Sequence, residues 1–135
     1  MRHNSQGFTL IELLVVVALL GILSAIGVTS YQGYTWSAKK KDAELSLNSI
    51  LLANEEYTSN NGTYYYLFGV TDTSYQDIQN TLFDGKETLP GDDWLFGIQG
   101  KESTQTLNIV AKHKTKDCKF TLTEKMKLIS LGNDC

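Results

Sequence analysis

Proline is almost missing from this chain. Pro90 is the single one in 135 residues, so no ring interrupts a helix ahead of it by steric clash and a missing N–H. Histidine and cysteine are equally scarce: His3, His113, Cys118 and Cys135 are the whole stock. Two separated cysteines with two distant histidines make a poor zinc site, whose ligands recur at short spacings. No metal and no cofactor is expected. No nucleophile stands beside a base in a supporting context, no phosphate loop occurs, and no carboxylate dyad has a catalytic setting. The chain does not read as an enzyme. His113, alone in a lysine-rich strand end, reads as a surface histidine.

What is present is concentrated at the front. From Phe8 to Val28 the only residues outside the apolar or glycine set are Thr9, Glu12 and Ser24. At 1.5 Å per residue this helix pattern spans about 31 Å, which matches a hydrocarbon core of roughly 30 Å. A short polar leader with Arg2 and His3 precedes it and ends at Gly7. Glu12 is the anomaly, since an ionisable residue at mid-membrane costs on the order of 2.5–3.5 kcal/mol and calls for a partner. A secretory signal would be cut after its apolar stretch at small residues, and Ser24-Ala25-Ile26-Gly27 offers some. The alternative is a cut ahead of the apolar run, at Gly7-Phe8, leaving the helix as the new N-terminus.

Gly7-Phe8-Thr9-Leu10-Ile11-Glu12-Leu13-Leu14 resembles the class III leader-peptidase signature of type IV prepilins. The resemblance extends through Gly21 to Tyr31-Gln32-Gly33-Tyr34, and the Cys-bounded C-terminal segment is similar as well. It implies that a membrane prepilin peptidase/methyltransferase cuts between Gly7 and Phe8 and N-methylates the amino group of Phe8. Cleavage would create a cation four residues from Glu12 on one helix face, where an opposite charge favours the ionised carboxylate. The resemblance adds a second partner, the amine of a neighbouring subunit, which would set the axial stagger of a filament. It further implies an inner-membrane pilus assembly machinery, membrane lipid as the environment before assembly, and a cell-surface pilus afterwards. Most members carry proline where this chain has Thr29, so the usual helix-loosening feature is missing.

Beyond Val28 the helix pattern continues. Trp36, Ala43, Leu47, Ile50 and Tyr57 share one face, flanked by Leu51, and this amphipathic half is expected to pack on a head domain. Leu45 and Leu52, with Ala38, form a second apolar stripe that needs a cover, either the following loop or a neighbouring helix. Lys39-Lys40-Lys41 reads as headgroup contacts or a solvated helix face. Asn60-Asn61-Gly62 supplies the stop; one helix from about Phe8 to Ser59 would be roughly 78 Å long. Asn61-Gly62-Thr63 also fits a glycosylation sequon, a short match of little weight. Residues 60–93 read as a loop, with turns at Asp84-Gly85 and Pro90-Gly91. After Asp93 the period becomes two, giving strands at Trp94–Ile98, Thr106–Ala111, Lys119–Thr123 and Lys127–Ser130.

The expected fold class is therefore α+β, a long helix against a small antiparallel sheet, pilin-like. The expected organisation is a leader at 1–7, a membrane and assembly half at 8–35, and an exported head at 36–135, with its sheet at 94–131. Both cysteines lie on the exported side. A Cys118–Cys135 bridge would contribute about 3 kcal/mol in the loop-entropy model; two free buried cysteines are the alternative. In family terms the bridge bounds the variable surface segment of type IV pilins, and most secretion-system pseudopilins lack such a bridge. Residues 42–93 hold ten acids against Lys86, a balance of −9, whereas 101–135 hold seven lysines against four acids, a balance of +3. Opposite patches on one head can guide subunits together or keep it soluble. The C-terminal lysines raise DNA as an alternative partner through phosphate neutralisation, though the net charge of −3 and the lack of a nucleic-acid motif argue against it. The reading is a structural subunit of a type IV pilus. Its alternatives are a minor pilin for DNA uptake or adhesion and a type II secretion pseudopilin.

Overall fold

A computed structural model describes residues 7–101, 103 and 106–135, apart from the side chains of Thr29 and Ser30. The leader residues 1–6 and Glu102 lie outside the described residues, as does whatever the Thr29 side chain contributes. Helix α1 runs over Leu10–Asn61, two residues later at each end than the sequence pattern suggests. The chain divides into two units, Met1–Ser37 and Ala38–Cys135.

In the second unit the heptad-like face of α1 does what its spacing implies. Ala43, Leu47 and Ile50 are fully buried and Leu51 nearly so. Leu45 and Leu52 stay exposed, so the loop after the helix does not cover the second stripe. Gly62 ends the helix at φ +79, a left-handed value that L side chains adopt with strain. Asn54, fully buried, then holds the returning chain. Its amide donates to the Tyr65 carbonyl at 2.9 Å and its Oδ1 accepts from Tyr65 N–H at 2.8 Å.

The segment read as loop 60–93 contains a helix, α2, over Asp72–Leu82. Its polar composition and few buried positions, Ser74, Ile78 and Gln79, hid the helical period. Local chemistry starts it: Thr71 caps the first turn, with Ser74 N–H donating to Thr71 Oγ1 and Thr71 N–H donating to Ser74 Oγ. Gln79 then anchors the next turn, accepting from Thr88 N–H at 3.0 Å. Tyr75 donates to the Leu89 carbonyl at 2.8 Å.

Four strands follow, β1 (Trp94–Lys101), β2 (Thr106–His113), β3 (Lys119–Thr123) and β4 (Leu128–Leu131), in sheet order β1-β2-β3-β4 with every neighbour antiparallel. This is the α+β meander that the sequence implies. Register puts Trp94, Phe96, Ile98, Ile109, Ala111, Phe120 and Leu122 on one face, all buried. Leu67 pairs with Ile98 along the free edge of β1, its N–H donating to the Ile98 carbonyl at 2.8 Å. On the opposite face Gly69-Val70 lies against Gly97 so closely that a Cβ there would strike the Gly69 carbonyl.

Cys118 and Cys135 are joined in a disulfide with Cα atoms 4.9 Å apart. Asp117 N–H donates to the Asp134 carboxylate at 2.9 Å beside it. The lysine run is not simply solvated: Lys39 pairs with Asp93 at 2.8 Å, Lys40 donates to the Cys135 carbonyl at 2.9 Å, and Lys41 pairs with Glu44.

His113 corrects the surface reading. It is only 5% exposed, because β2 extends two residues past Ala111 and the alternation places Lys112 out and His113 in. Its ring meets Trp94 edge-on at 5.0 Å, and Nδ1 accepts from Lys116 N–H at 3.0 Å and Thr115 N–H at 3.2 Å. A ring whose Nδ1 takes two donors carries its proton on Nε2. Burial, and then the positive charges of Lys39 and Lys116, hold its pKa below the ordinary histidine value, with Asp93 and Asp134 pulling the other way.

Two outcomes are expected for the detergent-solubilised chain. Gly97→Ala forces the loop off β1 and lowers stability by about 1–3 kcal/mol, read as a lower thermal midpoint. For His113 the unfolded chain accepts a proton that the folded chain resists, so stability is full above the ordinary pKa and declines as pH falls below about 6.5. Melting from pH about 7.5 to about 5.5 tests this, and His113→Gln flattens the dependence in that window.

Candidate functional site

The site residues proposed from sequence lie at the start of α1, and their local chemistry is a capping box. Thr9 precedes the first helical residue, Leu10. Glu12 accepts on Oε2 from Thr9 N–H at 2.8 Å and from the Thr9 hydroxyl at 2.7 Å, while Glu12 N–H reaches Thr9 Oγ1 at 3.4 Å. The side chains thus serve helix-end N–H groups that have no partner inside the helix. A carboxylate in the first turn also faces the positive end of the helix dipole.

This arrangement brings Thr9 and Glu12 together but not Phe8. In the continuous chain the nitrogen of Phe8 is a peptide nitrogen, and the Phe8 ring is 85% exposed. Among the described residues Gly7 has open space around it, and none of their packing requires a small residue there. The sequence expectation of a cation beside Glu12 belongs to a cleaved chain. Thr9 was overlooked as a partner, although Thr-x-x-Glu at 9–12 is the capping-box pattern and was readable.

Behind this start lies an apolar surface with no cover of its own. Fourteen large apolar side chains from Phe8 to Val28 are at least half exposed. At about 1.5–3 kcal/mol for each such side chain fully buried, holding them in water would cost tens of kcal/mol, well above a domain's stability of about 5–15 kcal/mol. The helix is long and apolar enough to cross a membrane, and its apolar stretch is not buried by the described residues of the chain. Farther along the chain the disulfide is closed, and among the described residues no group of acids, histidines or cysteines is arranged to hold a metal ion.

Comparison with known proteins matches this segment first. Residues 2–28 fit the family model described as the prokaryotic N-terminal methylation motif. The type IV major pilin protein PilE of Neisseria gonorrhoeae is 42% identical over 64 residues, which cover 47% of this chain and 38% of that protein. The type IV major pilin protein PilA of Myxococcus xanthus is 35% identical over 61 residues, 45% of this chain and 28% of PilA. A fimbrial protein of Pseudomonas aeruginosa is 37% identical over 83 residues, 59% of this chain and 53% of the relative. The matches thus span about a third to a half of these relatives' own lengths. No solved structure matches the chain. Over its N-terminal half the chain is thus similar to type IV pilins, and residues 2–28 carry the N-terminal methylation motif.

Proposed function

We propose that the chain is a prepilin, cut between Gly7 and Phe8, N-methylated on Phe8, and assembled through its N-terminal helix as a structural subunit of a type IV pilus. The observation that carries this reading is the uncovered apolar surface from Phe8 to Val28 behind the Thr9–Glu12 cap. Such a surface has two stable surroundings, lipid and other helices of its kind. Lipid serves before assembly, with the polypeptide a single-pass protein of the cytoplasmic membrane and residues 36–135 exported. Other copies serve afterwards, at the cell surface. The relatives whose names specify a major pilin support the structural role over a minor one.

Glu12 has a distinct part in each state. While the chain is continuous, Thr9 satisfies its carboxylate and lowers the cost of carrying it into the bilayer. Cleavage turns the Phe8 nitrogen into an ammonium, a stronger partner than a hydroxyl or amide because the hydrogen bond becomes charge-assisted at both ends. A helix leaving lipid for a filament then carries a matched cation and anion, and the partner of each can lie on an adjacent copy. The peptidase and the inner-membrane assembly machinery are the partners this sequence of events requires.

Mass spectrometry of filaments sheared from cells is expected to find Phe8 as the first residue, bearing one methyl group, in an abundant subunit. An intact leader in polymerised material, or a soluble product cut near Ala25, would overturn the reading. Glu12→Ala is expected to be processed normally while filament yield falls by about tenfold or more, as loss of a desolvated charge partner implies. Normal yield from that variant would remove Glu12 from assembly.

A further inference from the structure

The sheet face opposite the core, where the Gly69-Val70 loop leaves it uncovered, carries a charge conflict that no described residue resolves. Register sets Lys112 of β2 directly opposite Lys119 of β3, and the same cross-strand row continues to Leu95 on one side and Leu131 on the other. Like charges directly opposite on neighbouring strands destabilise a sheet. The ion pairs of the second unit lie elsewhere, at Lys39–Asp93, Lys41–Glu44 and Lys114–Asp72, and among the described residues no carboxylate pairs with Lys112 or Lys119. Leu131 is 54% exposed and Ile129 36%, so apolar surface flanks the two ammonium groups.

A complementary surface exists on the same molecule. Beside α2 a groove is lined by Tyr75, Pro90 and Gly91 with Asp72, Glu87 and Asp92 at its rim. Asp72 is held by Lys114, whereas Glu87 and Asp92 are exposed and no lysine pairs with either among the described residues. A basic patch with apolar flanks and an acidic groove with a Tyr-Pro wall are complementary in charge. A contact that uses one patch from each copy is head to tail, the geometry that propagates along a filament.

We propose that the Lys112–Lys119 face of one copy docks onto the Glu87–Asp92 groove of a second copy. This rests on the filament-subunit reading and adds to it a contact between heads, separate from the packing of the N-terminal helices. The contact relieves the lysine pair's repulsion, and the salt dependence of rim charges makes it the part of assembly most sensitive to ionic strength.

The test uses the full chain in piliated cells with three variants: Lys112→Glu with Lys119→Glu, Glu87→Lys with Asp92→Lys, and all four together. Each pair is expected to lower sheared filament yield by about tenfold or more, and the fourfold exchange to restore most of it. The inference fails if either pair assembles like the unsubstituted chain. It also fails if the fourfold variant stays defective while melting normally in detergent. Normal filaments that lose only their retention of duplex DNA in the lysine variant would instead mark the face as a polyanion site. If the unsubstituted chain makes no filament, the subunit reading fails separately. Carbodiimide coupling of mixed light and heavy-isotope chains in detergent then decides the contact: a light–heavy link joining Lys112 or Lys119 to Glu87 or Asp92 supports it, and its absence overturns it.

Discussion

An apolar helix surface that its own chain leaves wholly uncovered governs the rest of this molecule. Water is excluded as its surroundings by the cost of hydrating so many Leu, Ile and Val side chains. Every other feature of the first unit can be understood as an accommodation to that. The helix satisfies its backbone internally, as a segment in hydrocarbon must. Its first turn, where backbone N–H groups have no partner within the helix, is closed by Thr9 and Glu12. The one carboxylate in the apolar run is thus a capping group before it is anything else.

The second unit has the reverse character, and its stability is ordinary. One face of α1 and one face of a four-stranded meander hold the core, and polar clamps fix the irregular parts around it. Asn54 fixes the turn after α1, Gln79 and Tyr75 fix the segment after α2, and Gly97 lets the Gly69-Val70 loop ahead of α2 lie against β1. The disulfide and the Asp117–Asp134 hydrogen bonds hold the terminal segment to the start of β3. His113 joins these through the 115–116 backbone and the Trp94 ring. What remains outside is charge, distributed so that acids lie around α2 and the loop after it while lysines lie on the sheet.

The N-terminal sequence and the head were legible to different degrees. The apolar run, the Gly7-Phe8 junction, Glu12, the Gly62 stop and the strand centres are local patterns, each readable because a short stretch of chain enforces it. α2 was not legible, because its stability comes from Thr71–Ser74 capping and three buried positions rather than a full apolar stripe. Thr9 was legible too, since Thr-x-x-Glu at 9–12 is an ordinary helix-start pattern.

By itself the sequence determined that a membrane-length helix begins beside a Gly-Phe junction with a carboxylate one turn in, because composition and spacing within a few residues suffice for that. Tertiary structure decided that His113 is a core residue, that Gly97 makes room for a loop, that the cysteines are bridged, and that Lys112 and Lys119 oppose each other. Those facts depend on strand register and on which segments, distant in sequence, come to lie together. No local window of residues encodes that.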